Sequence, residues 1–167
     1  MIAYVESKDK VVEIDDRFKH LMALALNPKT NNKDGLIRCI TSRVGEVYVS
    51  GYIDKSELHL IKMIDNYHYS ISHKLKIINE DEIIKSVTPI DYEFLGLEDP
   101  DIYMDENNSM LHVYLTIPFV SKIDSNLKIY LGHAEGMDLD SLIMTDLFIK
   151  DDNISAKEIS LAPPNSR

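Results

Sequence analysis

Apolar and polar residues alternate along several short stretches of the chain. The longest alternation covers residues 111–119, where every second residue is apolar: Leu111, Val113, Leu115, Ile117 and Phe119. Residues 47–53 alternate in the same way, and residues 127–131 do so after the turn-rich segment 122–126. Because the side chains of a β-strand point to opposite faces in turn, this period of two predicts half-buried strands linked as hairpins.

Turn-forming residues separate these stretches at intervals of roughly a dozen residues, as at 27–35, 44–46 and 105–109. This spacing favours an antiparallel all-β fold over alternating strands and helices. Segment 15–26 differs, because its apolar residues recur at spacings of three and four: Phe18, Leu21, Met22 and Ala25. That period predicts a helix in this segment.

Composition and charge narrow the class of protein. The 167 residues are 44% apolar, which is enough to bury a core, and the net charge of −10 repels nucleic acid. The N-terminus carries charges where a signal peptide needs an apolar run, and no later apolar run reaches membrane-spanning length. We therefore expect a cytoplasmic protein with no nucleic-acid or membrane partner.

The sequence offers little support for a metal or cofactor. Cys39 is the single cysteine and lies in an apolar run, which predicts a buried, inert thiol and excludes an internal disulfide. His59, His68 and His73 cluster in the sequence, but their spacings fit no familiar metal-ligand pattern. Six glycines form no phosphate-binding loop. We expect no metal site and no cofactor.

Three carboxylates surround a proline in the middle of the chain: Glu98, Asp99 and Asp101 flank Pro100. Proline fixes its own φ and restricts the preceding residue to extended geometry, so we expect the backbone to set the direction of the Asp99 side chain. A carboxyl group beside another carboxylate can hold its proton near neutral pH, as protonation of a glycosidic oxygen requires. A solvated acidic turn is the alternative interpretation.

The same segment, Gly-Leu-Glu-Asp-Pro-Asp-Ile at 96–102, resembles the Gly-X-Glu-Asp-Pro-Arg-Ile signature of glycoside hydrolase family 130, the inverting phosphorylases and hydrolases of β-mannosides. Three further segments resemble that family in the same order: Asn27-Pro28 with Gly35 to Arg38, residues 130–139, and residues 156–163. The resemblance spans roughly residues 20 to 165, and the Glu-Asp-Pro segment is its most specific part.

The resemblance implies a five-bladed β-propeller with a sugar site in its central funnel. The chain, taken as a single domain over 1–167, would then be the N-terminal part of such a propeller, with two to three blades of antiparallel strands. Asp99 matches the general acid, and the expected substrate-binding residues are Arg38, Glu98, Asp101 and Lys157. The implied partners are an oligosaccharide and, in phosphorolysis, inorganic phosphate.

One position departs from the family pattern, because Asp101 stands where the signature has arginine. A third carboxylate raises the pKa of its neighbours and weakens the attraction for phosphate, which favours hydrolysis or loss of activity over phosphorolysis.

The rival hypotheses are a non-catalytic sugar-binding or scaffolding module and an unrelated β-sandwich. Arg38 and Asp99 on opposite surfaces would indicate the sandwich. A partial propeller would leave blade edges uncovered, which predicts self-association or poor solubility.

Overall fold

The computed structural model describes residues 11–47, 49, 51–66 and 68–148. These residues form antiparallel β-sheets, as the alternation predicts, together with one α-helix and a short 3-10 helix at Pro28–Thr30. The strands are β1 (His20–Leu26), β2 (Asp34–Val44), β3 (Ile53–Asp65), β4 (His68–Lys74), β5 (Tyr92–Phe94), β6 (Glu98–Met104), β7 (Leu111–Ser121), β8 (Leu127–Gly136) and β9 (Ile143–Phe148); the helix α1 is Glu80–Val87.

The first sheet is a four-stranded meander with the order β1-β2-β3-β4. The predicted strand at 47–53 is wrong for most of its length, because β2 ends at Val44 and β3 begins at Ile53. The described residues between them form a turn in which Gly45 and Gly51 have φ values of +84° and +91°. Glycine adopts these left-handed backbone conformations readily, and they turn the chain. The alternating residues at 47–53 therefore do not form the strand that their pattern predicts.

The second sheet has the order β5-β7-β8-β9, and β6 also pairs with β7. β5 pairs with the end of β7 around Phe119, whereas β6 pairs with its beginning, from Met104 opposite Leu111 to Glu98 opposite Thr116. β5 and β6 therefore act as one edge strand that is interrupted at residues 95–97. With this strand counted once, the second sheet is also a four-stranded meander.

The main core lies between the two sheets. It contains residues from β2 and β3, such as Leu36 and Leu58, and the alternating apolar residues of β7 predicted from the sequence, all of which are buried. The prediction of a strand at 127–131 is likewise confirmed, although β8 continues to Gly136. A smaller cluster around Cys39 and Tyr69 lies on the other side of the first sheet and contacts Val12 and Phe18.

The predicted helix at 15–26 is wrong, because β1 occupies most of that segment. β1 pairs with β2, and its register shifts between Met22 and Leu24, where Ala23 has a φ of +51°. A bulge of this kind adds a residue to the strand and breaks the period of two, which explains the helix-like spacing. The α1 helix has eight residues, and no helix in the described part of the chain is long and apolar enough to cross a membrane.

The two sheets are in direct backbone contact at residues 95–96. The Ser56 amide donates a hydrogen bond to the Leu95 carbonyl oxygen, 2.8 Å away. Gly96 has a φ of +104°, and a Cβ atom added there would lie 1.8 Å from the Ser56 carbonyl oxygen. Only glycine fits between these backbones, and this contact holds the start of β6 against the beginning of β3.

Candidate functional site

A buried group of polar side chains joins the two sheets beside this contact. We call it the junction cluster: Arg38 in β2, Ser56 in β3, and Glu98 and Asp99 at the start of β6. Arg38 and the two carboxylates are 60 and 61 residues apart in the sequence, and the packing of the sheets brings them together. The structure therefore places Arg38 and Asp99 side by side rather than on opposite surfaces.

Arg38 donates hydrogen bonds to all three other members of the junction cluster. Its Nη2 lies 2.5 Å from Glu98 Oε1, its Nη1 lies 2.9 Å from Asp99 Oδ1, and its Nε lies 3.0 Å from Ser56 Oγ. The Ser56 hydroxyl donates in turn to Glu98 Oε1 over 2.9 Å. The side chains of Arg38, Glu98 and Asp99 are only 7, 9 and 10% exposed. Such charges are tolerated inside a protein because each one is paired and hydrogen-bonded.

The backbone of Asp99 does not have the extended geometry expected before a proline. Its φ is +44°, in the left-handed region that non-glycine residues rarely adopt. The pairing of β6 with β7 shifts register between Glu98 and Asp101, so a bulge at this point turns the chain. The backbone does set the direction of the Asp99 side chain, but through the bulge rather than through extended geometry.

Arg38 and Glu98 border a cavity of about 540 Å³. Its lining comes from both sheets and includes Asp54 of β3 and Pro118 of β7. A cavity of this size is in the range of pockets that hold small ligands. Asp99 is not among the lining residues, and its carboxylate is held by Arg38 Nη1.

The other predicted site residues are not part of the junction cluster. Asp101 lies opposite Tyr114 in the pairing of β6 with β7. Burial raises the pKa of the Tyr114 phenol, and the negative charge of Asp101 adds to this shift. Lys157 and the segment 156–163 lie outside the described residues. Ser56 was missed, although it occupies a core-facing position in the alternation Ser56, Leu58, Leu60.

Cys39 is fully buried, as its apolar neighbours predict. Burial raises the pKa of its thiol to about 12, and the nearby carboxylates of Asp15 and Glu57 add to the shift. The reactive thiolate is therefore scarce near neutral pH. This geometry fits a packing role for Cys39.

The structure separates the three histidines that cluster in the sequence. His59 is buried, and its Nε2 lies 3.1 Å from Glu57 Oε2. His73 instead pairs with Asp140 on the surface. A different group converges instead, which we call the outward cluster: His112 in β7 and His133 and Glu135 in β8. Sequence spacing could not reveal it, because its members lie on separate strands whose register is set only in the folded sheet.

Comparison of this chain with family models, with curated proteins and with solved structures gives no match. The resemblance to glycoside hydrolase family 130 therefore rests on the segments of this sequence that carry it. What the described residues establish is an antiparallel all-β protein with a buried polar junction and a neighbouring cavity.

Proposed function

We propose that this chain is a carbohydrate-active protein of the β-propeller type, which acts on β-mannosides by an inverting mechanism with Asp99 as the general acid. The observation that carries the proposal is the direct contact of Arg38 with Glu98 and Asp99. Two of the segments that resemble the sugar-active family, Gly35 to Arg38 and residues 96–102, are far apart in the sequence. Their charged residues Arg38 and Glu98 meet beside a ligand-sized cavity.

The topology of the sheets supports the propeller part of this proposal. A propeller blade is a four-stranded antiparallel sheet, and successive blades pack face to face around a central channel. The first sheet has this topology, and the second has it once β5 and β6 are counted as one interrupted strand. Two such meanders follow each other in the chain and share one core.

The proposed chemistry follows from the junction cluster. In an inverting glycosidase one carboxylic acid protonates the departing oxygen, while a second carboxylate acts as general base and takes a proton from the water that attacks the opposite face of the sugar. Asp99 would supply the proton for the departing oxygen, which requires its carboxylate to separate from Arg38 and take up a proton from solvent. Arg38 then keeps its bonds to Glu98 and Ser56 and can donate to sugar hydroxyls from the cavity wall. The charge of Asp101 disfavours phosphate, so hydrolysis is the expected reaction.

The test is an assay of the full chain on a panel of β-linked mannobioses, with and without inorganic phosphate. We expect release of mannose that does not depend on phosphate, and NMR should show inversion at the anomeric carbon. Asp99→Asn should lower the rate by about 10²–10⁴-fold, the usual contribution of a general acid. Asp65→Asn, at an exposed carboxylate outside the junction cluster, is the matched control and should leave the rate unchanged.

The second candidate is a non-catalytic sugar-binding module. Its support is that Asp99 is absent from the cavity lining and its carboxylate is held in an ion pair by Arg38. Titration calorimetry with mannooligosaccharides separates the two candidates. Binding that survives Asp99→Asn, together with no product from the wild type, would establish the binding module and refute the glycosidase. If the wild type neither binds nor cleaves these sugars, both are wrong.

A further inference from the structure

Two imidazole rings and one carboxylate converge in the outward cluster, on the face of the second sheet that points away from the core. His112 lies directly opposite Glu135 in the pairing of β7 with β8, and His133 is two residues before Glu135 on the same strand. The period of two therefore puts all three side chains on one face. One potential ligand atom from each residue lies within 4.8 Å of the other two.

The contacts of His133 are compatible with one proton shared between the two rings. His133 Nδ1 lies 2.5 Å from the hydroxyl oxygen of Thr145 and can donate its proton there. In that tautomer His133 Nε2 has a lone pair that can accept the proton of His112 Nδ1, which lies 3.0 Å away. A metal ion that replaces this one shared proton receives a lone pair from each ring.

The distances within the outward cluster suit a small tetrahedral ion. Bonds of 2.0–2.1 Å to zinc separate neighbouring ligand atoms by about 3.3 Å. The separation of His112 Nδ1 from His133 Nε2 is 3.0 Å, and that from His112 Nδ1 to Glu135 Oε2 is 3.7 Å. These two values lie on either side of the required one, and the ligand atoms of His133 and Glu135 are within 4.8 Å of each other, so rotation of the side chains would complete the geometry.

Residue chemistry selects the class of metal. Two imidazoles with one carboxylate favour zinc and similar transition metals, whereas magnesium and calcium prefer oxygen ligands alone. Thr145 holds the far nitrogen of His133, as partners of metal-binding histidines commonly do. The Tyr114 ring packs against His133 at a centroid distance of 4.9 Å and restricts its rotation.

We propose that His112, His133 and Glu135 bind one Zn²⁺ ion, with a fourth coordination position open to solvent. The side chains of His112 and Glu135 are 22 and 40% exposed, so an ion can reach them without unfolding of the sheet. A three-ligand site of this kind can bind water or an anionic group at its fourth position. The site does not involve the junction cluster and is independent of the sugar chemistry proposed above.

The experiment is calorimetric titration of the chelator-treated full chain with zinc chloride. We expect one equivalent of Zn²⁺ to bind, and excess Mg²⁺ should not compete. His112→Ala, His133→Ala and Glu135→Gln should each weaken binding by at least about tenfold, since even outer-shell changes have effects of this size. His73→Ala, at an exposed histidine paired with Asp140, is the matched control and should bind normally.

Replacement of zinc by cobalt gives a second measurement. The strong visible absorption of four-coordinate cobalt should appear with the wild type and disappear with Glu135→Gln, a variant that keeps the size and polarity of the side chain. Circular dichroism verifies that each variant is folded. The proposal is overturned if the wild type binds no zinc, if the three variants bind as well as the wild type, or if His73→Ala loses binding equally.

Discussion

The junction cluster and the outward cluster hold charged side chains in opposite ways. In the junction cluster a guanidinium lies between two carboxylates and a hydroxyl, and the charged side chains are at most 10% exposed. In the outward cluster two rings and a carboxylate face one another, and solvent reaches His112 and Glu135. The first arrangement pairs both carboxylates with a cation of the chain itself, whereas the second concentrates lone pairs that an added cation can use.

Removal of the central cation should have the largest effect. Arg38→Met leaves two buried carboxylates beside each other without their partner, and the loss of one partner from a buried ion pair costs about 3–5 kcal/mol. We expect the free energy of unfolding, measured by urea denaturation, to fall by this amount. Arg17→Met breaks an exposed pair with Asp15 and should change little. Equal effects of the two substitutions would mean that the junction cluster does not stabilise the contact between the sheets.

The backbone contact beside the junction cluster gives the next largest effect. Gly96→Ala introduces a Cβ atom 1.8 Å from the Ser56 carbonyl oxygen at a φ of +104°. Left-handed strain and overpacking together should cost about 2–4 kcal/mol. Gly51 has a similar φ of +91° with no atom within 4 Å of an added Cβ, so Gly51→Ala isolates the strain, about 1–2 kcal/mol.

The difference between these two glycine variants measures how firmly β6 is packed against β3. A loss of stability that is the same for both would show that the sheets separate at little cost near residue 96. In that case the position of Asp99 relative to Arg38 would also be variable. The urea midpoints of both variants, compared with the wild type, decide between these outcomes.

The sequence predicts those parts of the fold that depend on local pattern. Strict alternation located β7, and the start of β8 followed from the turn before it. The prediction failed where a backbone irregularity changes the pattern, as at the bulge of Ala23 in β1, and where two glycines turn a chain that otherwise alternates. The α1 helix was missed although its signals are present: acidic residues in its first turn, Lys85 in its last and Pro89 after it.

The two clusters differ in how far sequence could predict them. The resemblance implies that Arg38 and Asp99 belong to one sugar site, which stays a prediction, and their 2.9 Å contact is a finding of the structure. The outward cluster depends on the register of β7 with β8, since a slip of one residue would move His133 to the core face. Register is a property of the folded sheet, and the spacing of histidines along the chain does not contain it.

A half-buried carboxyl group with weaker compensation should show the smallest effect. Burial raises the pKa of Glu80 above its usual 4.5, and the charge of Lys74 opposes this shift only in part. An acid with a raised pKa in the folded state lowers stability when it is ionised, and this cost disappears as the pH falls through the folded pKa towards 4.5. Glu80→Gln removes the cost, so its urea midpoint should exceed that of the wild type at pH 7. The difference should vanish below pH 4.5.

Glu82→Gln is the control, because it also removes a charge from the helix N-terminus but lies at an exposed position in the same turn of α1. If the urea midpoints of both variants rise equally at pH 7, the effect comes from the change in net charge. Burial without a full partner, which distinguishes Glu80 from Glu98, would then have no cost in stability.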